Sequence, residues 1–252
     1  MYRKQHWHGL TMAAAPFSDG TPAASQWPIP PAHYFDYELN VPLKMAGTFF
    51  YHSHIGVQAI SCTGPLIVRI NFISRYPSEC YLYLFPNITQ IVDADQPPYY
   101  YDGERIVFLQ EVFPDTDEDI EAALLATPMA YEKNQAMVLI NGRGAGLDGY
   151  GVACNDTLSV LNVEPGKTYR LRIIAGTGIS TTTFAIEGHN NLEVIEADGY
   201  VSSFLDVHGT HKIQGLYRST QHTIYSVRSW PAIQCSSPHF GKAHQKAILS
   251  PT

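Results

Sequence analysis

Two short histidine pairs constrain this chain more than any other feature of its sequence. The first is His6-Trp7-His8, and the second is His52-Ser53-His54 at the end of an aromatic run. Successive side chains of a β-strand point to opposite faces, so histidines two positions apart project from the same face. Two such strands side by side can direct four imidazoles toward one point. Imidazole binds zinc, copper, iron and nickel, so the pattern predicts a metal site without choosing the metal.

The sequence around these pairs predicts an all-β protein. Charged residues make up 15% of the 252 residues, while there are 19 Gly and 17 Pro, a composition typical of short strands and many turns. One helix is predicted, beginning at Thr116 and continuing through 120–126, because small polar and acidic residues there can cap an N-terminus. Aromatic, β-branched and apolar runs predict strands at 34–41, 47–53, 64–70 and 105–113, and five more between 135 and 198.

Two β-rich segments in series predict a two-domain sandwich protein. The predicted boundaries are a partial first domain at 1–70, an inserted segment or linker at 71–95, a second domain at 96–206 and an irregular tail at 207–252. The tail is rich in His, Ser, Gln and Arg without sustained alternation, so no elements are predicted for it. Residues 69–91 and the tail have compositions typical of translated intron or frame-shifted sequence, which we state as a hypothesis that transcript sequencing would test.

Charge and hydropathy narrow the class of partner. The net charge is −7 and there is no dense Lys/Arg block, which argues against nucleic acid and against a polybasic membrane anchor. No apolar run approaches the roughly 20 residues needed to cross a bilayer. No apolar leader precedes the first histidine pair, which taken literally indicates the cytoplasm. The expected partners are small molecules or a metal ion, and the sequence says nothing about oligomeric state.

The residues that flank the histidines resemble a known family. In order, the chain contains HWHGL from His6, Asp19-Gly20, QWPIPP from Gln26, GTFFYHSH from Gly47 and GPLIV from Gly64. This series resembles the multicopper oxidases, and within them the fungal laccase and ascorbate-oxidase-like members. A second stretch, roughly 92–200, is similar to the family's second cupredoxin domain.

The resemblance implies a fold and a copper chemistry. The fold would be tandem cupredoxin-like (plastocyanin-like) Greek-key β-sandwiches, with the first one incomplete. His6 would bind the type 2 copper, while His8, His52 and His54 would bind the type 3 pair of the trinuclear cluster where O2 is reduced to water. The family couples this reduction to one-electron oxidation of phenol-like or enediol-like small-molecule donors. Asp19 matches an acidic residue that assists proton delivery, although an Asp that initiates a turn before Gly20 explains it equally well.

Parts of the family pattern are not found in the printed sequence. In the family a third domain supplies the remaining cluster histidines and the type 1 copper, through HxxHxH and HCHxxxH motifs, and neither motif occurs here. A type 1 site needs a cysteine thiolate with two histidines, and none of the four cysteines adjoins a histidine. We therefore expect little or no oxidase activity from this chain alone. The family also implies secretion, in contrast to the absent leader.

Two alternatives remain at this point. The first is a non-catalytic, cupredoxin-like copper-binding fragment. The second is a mononuclear metal enzyme of the cupin type, which also uses an HxH pair but needs a Glu and a third His on neighbouring strands of one barrel. The other seven histidines have no paired spacing with matching flanks, and we expect surface or structural roles for them.

Overall fold

The structure is a computed structural model that describes most of the chain. The longest described ranges are 2–41, 45–69, 101–130 and 137–144. The shorter ones are 146–147, 153–154, 158–164, 166–180, 182–186, 193–198, 200–206, 225–228, 233–236 and 244–251. The predicted segment 71–95 lies outside the described residues.

Strands dominate these ranges, which confirms the all-β prediction. The strands are β1 Gln5–Trp7, β2 Gly47–Ser53, β3 Thr63–Val68, β4 Gly103–Val112, β5 Met137–Ile140, β6 Gly146–Leu147, β7 Ala153–Cys154, β8 Val160–Val163, β9 Tyr169–Gly176, β10 Thr183–Ile186, β11 Glu193–Ala197, β12 Tyr200–Asp206, β13 Tyr225–Arg228, β14 Ile233–Ser236 and β15 His244–Pro251. A 3-10 helix spans Pro16–Asp19 and an α-helix, α1, spans Asp117–Leu125.

The first sheet contains both histidine pairs. It is antiparallel, with the strand order β1-β2-β3. Trp7, Phe49, Phe50, Leu66 and Val68 of this sheet are all buried in a single hydrophobic cluster. The bulky aromatic run that predicted β2 is therefore the part of the chain that anchors this sheet to the core.

A six-stranded sheet with the order β12-β11-β13-β9-β4-β5 forms the body of the second β-rich segment. β4 and β9 are parallel neighbours at its centre, paired from Gly103 with Tyr169 to Gln110 with Gly176. Val107 and Ile174, on these two strands, are fully buried. The remaining pairs form a sheet of order β10-β14-β15-β8 and a hairpin of β6 with β7.

The two β-rich segments share one hydrophobic core. Phe108 of β4 and Ile174 of β9 belong to the same buried cluster as Trp7 and Phe50 of the first sheet. Polar contacts cross the same junction: the Arg172 guanidinium donates to the Thr48 hydroxyl over 2.6 Å. The second segment therefore supports the strand that carries His52.

The predicted helix is confirmed, including its start. Thr116 is the N-cap, and its hydroxyl accepts a hydrogen bond from the Asp119 backbone N–H over 3.2 Å. Asp117, Glu118 and Asp119 occupy the first turn, where carboxylates interact favourably with the positive end of the helix dipole. No helix among the described residues is long and apolar enough to cross a membrane.

The predicted strand at 34–41 is wrong, although its alternation is real. The side chains at 35, 37, 39 and 41 are half-buried and those at 34, 36, 38 and 40 are exposed, yet the segment has no strand assignment. Tyr37 contributes a side-chain contact instead, since its hydroxyl accepts from the Gln5 backbone N–H over 2.8 Å. Alternation predicts which side chains face the core, whereas a strand also needs a neighbouring backbone to pair with.

The prediction of an irregular tail at 207–252 is also wrong for its described residues. β13 lies between β9 and β11 in the six-stranded sheet, and β14 and β15 pair with each other between β10 and β8. Strand preference depends strongly on neighbouring strands and on burial. Besides the pairing of β14 with β15, each of these strands pairs with a strand much earlier in the sequence, and local composition gives no signal for such a partner.

Candidate metal centre

β1 and β2 bring the two histidine pairs together. The strands are antiparallel, and His6 lies directly opposite His52 in their register. The pairing extends past the strand ends, because the His8 backbone N–H donates to Phe50 O over 3.0 Å and the His54 N–H donates to Lys4 O over 3.0 Å. All four predicted ligand histidines are thus held at neighbouring positions of one backbone ladder.

The four imidazole rings form one cluster. The His6 ring centroid lies 4.8 Å from that of His8 and 5.7 Å from those of His52 and His54. The His52 centroid lies 5.0 Å from that of His8 and 5.6 Å from that of His54. This is the convergence that the two HxH patterns predicted.

Backbone carbonyls orient two of the rings. His6 Nδ1 lies 2.7 Å from the carbonyl oxygen of Asp19, and His52 Nδ1 lies 2.7 Å from that of Ser53. A carbonyl can only accept a hydrogen bond, so in each neutral ring Nδ1 carries the proton and Nε2 presents its lone pair. A hydrogen bond of this kind from the second ring nitrogen is the usual way that a metal-binding histidine is held.

The aromatic flanks shape the floor of the cluster. Phe50 is buried, and its ring stacks on the His8 ring with centroids 4.1 Å apart and an interplanar angle of 22°. Gly9 follows at a φ of 79°, and a Cβ there would lie 1.9 Å from Cδ1 of Phe49. Only glycine fits that position, which explains why the first motif reads His-Trp-His-Gly.

Asp19 lies beside His6, as the resemblance implied. Its carboxylate Oδ1 is 3.5 Å from His6 Nδ1, with the two side chains 33% and 22% exposed. The Thr21 hydroxyl donates a hydrogen bond to the other carboxylate oxygen. Asp19 is the last residue of the 3-10 helix, and Gly20 follows as its C-cap with a φ of 79°, where a Cβ would lie 1.7 Å from Gln5 O. Asp19 also lines an open cleft of about 470 Å³ with Met12 and Phe17.

Two of the imidazole nitrogens are close enough to bind the same metal ion. His8 Nε2 and His52 Nε2 lie 2.9 Å apart, a separation compatible with two imidazole nitrogens each about 2.0 Å from a shared ion. Within the described ranges, no three His, Cys, Asp or Glu side chains are arranged to hold a single ion. The cluster therefore offers imidazole nitrogen donors, with His8 and His52 near enough to share one ion.

Comparison with known proteins finds similarity to one family along most of the chain. Two family profiles, each described as Multicopper oxidase, match residues 4–71 and 103–208. The Laccase-like multicopper oxidase 1 of Thermothelomyces thermophilus is 38% identical over 234 residues, covering 77% of this chain and 32% of its own length. The Multicopper oxidase aurL2 of Gibberella zeae is 41% identical over 195 residues, with 77% and 29% coverage. The L-ascorbate oxidase of Nicotiana tabacum is 29% identical over 240 residues, with 86% and 37% coverage.

Solved structures are similar in fold. Fet3p, described as a multicopper oxidase that functions in iron import, superposes with a TM-score of 0.69 at 22% identity, covering 99% of this chain and 42% of its own. The laccase of Botrytis aclada gives a TM-score of 0.66 at 22% identity, with 99% and 43% coverage. The chain spans about a third of the length of the curated relatives that it matches. It belongs to the multicopper oxidase family, and its fold is that of the family's cupredoxin-like domains.

Proposed function

We propose that this chain supplies four histidine ligands to a copper cluster of the multicopper oxidase type. His6 is proposed for the type 2 copper, and His8, His52 and His54 for the type 3 pair. The observation that carries the proposal is the cross-strand pairing of His6 with His52, together with the 2.9 Å separation of the His8 and His52 Nε2 atoms. Copper bound there would supply the one-electron redox steps and the reduction of O2 for which the family is named.

The protein's own contribution is to fix the ligands. Two antiparallel strands hold the imidazoles at set spacings, and the Asp19 and Ser53 carbonyls select the tautomer in which Nε2 can bind metal. Phe50 excludes water from one side of His8 and His52 by stacking on both rings. Asp19, between His6 and an open cleft, is proposed to exchange protons between solvent and the cluster.

We also propose that this chain belongs to a secreted protein with the reaction of its full-length relatives. That reaction is the one-electron oxidation of phenol-like or enediol-like donors, coupled to the reduction of O2 to water. The Asn-x-Thr sequons at Asn87 and Asn155 would then be available for glycosylation. The cupin alternative is set aside, because the chain belongs to the multicopper oxidase family.

A copper titration tests the ligand assignment. The purified 252-residue polypeptide is titrated with Cu(II) and followed by electron paramagnetic resonance, which reports nitrogen ligands directly. We expect His6→Ala, His8→Ala, His52→Ala and His54→Ala each to weaken binding by about tenfold or more, the order of loss seen when a metal ligand shell is damaged. His33→Ala is the matched control, since His33 is exposed and its Nδ1 lies 3.0 Å from the Pro31 carbonyl oxygen in its own loop. Equal spectra for wild type and His52→Ala would refute the assignment.

A second candidate function is copper binding without oxidase chemistry by this polypeptide. It is favoured by the four cysteines, none of which adjoins a histidine, because electron entry through a type 1 copper needs a thiolate with two histidines. We expect the copper-loaded polypeptide to consume no more O2 with a phenolic donor than free Cu(II) does. Faster uptake that is lost in His52→Ala would show that the cluster turns over by itself.

A further inference from the structure

Between β2 and β3 lies a compact segment, residues 55–62, that begins directly after His54. It is tightly hydrogen-bonded within itself: Gln58 N–H donates to Ile55 O, Ile60 N–H to Val57 O and Cys62 N–H to Gln58 O, over 2.8 to 3.0 Å. It is also tied back to the strand. Ser53 N–H donates to Cys62 O over 2.8 Å, and the Ser53 hydroxyl donates to the Gln58 side-chain oxygen over 2.9 Å. The position of this segment therefore sets the end of the strand that carries His52 and His54.

The loop after β9 lies beside segment 55–62. A Cβ added to Gly178 would come within 3.5 Å of Cγ1 of Ile60 and 3.7 Å of Cβ of Ala59, so the Gly178 backbone lies next to both side chains. Ile60 itself is 6% exposed. Loop 177–180 is therefore a neighbour of the segment that follows His54.

That loop is held by one buried carboxylate. Glu111, on β4, is 2% exposed. Its Oε1 accepts from the Gly178 and Ile179 backbone N–H groups over 2.6 and 2.7 Å, and its Oε2 accepts from the Ser180 N–H over 3.0 Å. Three consecutive amides converging on one carboxylate form an anion-binding nest that an internal side chain fills. A buried carboxylate is costly unless it is hydrogen-bonded, and these three amides supply that compensation.

We propose that Glu111 is a positioning residue for His54: its carboxylate holds Gly178, Ile179 and Ser180 against Ile60, and segment 55–62 in turn holds His54 in the metal cluster. The proposal rests on the proposed copper-binding function for its consequence, but the positional link itself can be measured without metal. Glu111 lies 67 residues from Gly178 in the chain, and it belongs to none of the histidine motifs.

The test is a double-mutant cycle on Cu(II) affinity, measured by competition with a chelator. Glu111→Gln keeps the size of the side chain but replaces one acceptor oxygen by an NH2 group that faces amide donors. We expect about a tenfold loss of affinity in the wild-type background and no further loss in the His54→Ala background, because two changes that act through the same ligand are not additive. Glu118→Gln makes the same chemical change on an exposed position of α1 and should leave the affinity unchanged.

A purely structural role for Glu111 predicts a different cycle. It would reduce copper affinity by the same factor with and without His54, and that result would overturn the proposal. Ile60→Ala is the second variant. It removes most of the Ile60 side chain that faces loop 177–180 and leaves the Glu111 hydrogen bonds in place. It should reproduce the non-additive result even if Glu111→Gln folds poorly.

Metal-free hydrogen exchange separates this proposal from the copper assignment. In Glu111→Gln we expect faster exchange of the Ile60 and Cys62 amides, and unchanged exchange of the Gln5 amide. If the wild type binds no copper, the proposed function fails, while exchange still decides whether Glu111 fixes segment 55–62. Unchanged exchange at Ile60 and Cys62 would overturn the positional link.

Discussion

The hydroxyl of Thr48 accepts a hydrogen bond of 2.6 Å from the guanidinium of Arg172, 124 residues further along the chain. Thr48 lies on the same strand as His52, and Arg172 lies on β9 of the second β-rich segment. The same guanidinium donates to both carboxylate oxygens of Glu104, over 2.7 and 3.2 Å. A buried charge cluster therefore joins the histidine-bearing sheet to the second β-rich segment.

Removing Arg172 should strongly destabilise the fold. Arg172 is completely buried, and Arg172→Met would leave Glu104 without its bidentate partner. Breaking a buried pair by removing one member costs about 3–5 kcal/mol, which urea denaturation at neutral pH would measure. Lys167→Met is the matched control, because Lys167 and Glu164 form an exposed pair and should give no measurable change. A similar midpoint for both variants would contradict this role of Arg172.

The stability of the protein should depend on pH through Glu104. Burial alone would raise the pKa of Glu104, but the hydrogen bond and charge of Arg172, the charge of Arg170 and the Tyr101 hydroxyl outweigh it, and the pKa is lowered. A carboxyl with a lowered folded pKa adds stability above its unfolded pKa, and this is lost as the pH falls through the folded value. The free-energy difference between wild type and Glu104→Gln, from urea curves between about pH 7 and about pH 3, should therefore shrink with acid. A difference that stays constant would argue against an ionised Glu104 in the fold.

Gly9→Ala should disrupt the metal-binding sheet. The substitution adds a Cβ 1.9 Å from the Phe49 ring at a residue whose φ is 79°. Gly166→Ala is a matched control, since its φ is 76° and a Cβ there meets nothing within 4 Å. The backbone cost of about 1–2 kcal/mol is common to both variants, while overpacking adds about 1–3 kcal/mol to Gly9→Ala alone. Thermal unfolding of the two variants would separate the backbone cost from the overpacking cost. Equal losses of stability in the two variants would show that the Phe49 ring moves aside freely.

Copper should raise the stability of the polypeptide by an amount that grows with the logarithm of its affinity. A ligand that binds only the folded state, present at about 100 times its dissociation constant, adds about 2.7 kcal/mol. We expect calorimetry to show this increase for the wild type and for His33→Ala. In His6→Ala, which should bind about tenfold more weakly, the increase at the same copper concentration should fall to about 1.4 kcal/mol or less. An undiminished increase in His6→Ala would place the copper elsewhere on the protein.

Local patterns in the sequence predicted the elements around the cluster well. The aromatic run from Gly47 became β2 with the predicted bounds, and Thr116 caps α1 as its composition indicated. Each of these depends on interactions among residues close together in the chain, namely alternating burial and a side-chain hydrogen bond to the first helical turn. The metal roles of the histidines and of Asp19 stay predictions.

Pairing partners were the part that local patterns missed. Residues 34–41 alternate as a strand would, but the segment has no strand assignment. β13 shows the converse, since it has little local pattern yet lies between β9 and β11. A strand is completed by hydrogen bonds to another part of the chain, and that partner cannot be found from the segment itself.

The sequence by itself determined that the two histidines of each pair share one side of their strand, because alternation in a β-strand is a property of consecutive residues. It also carried the family motifs and the glycine at position 9. Only the tertiary structure decided that His6 lies opposite His52, that Arg172 supports Thr48, and that Glu111 holds the loop beneath Ile60. These relations join residues 44 or more positions apart, and their geometry follows from the register and packing of whole sheets, which no local pattern specifies.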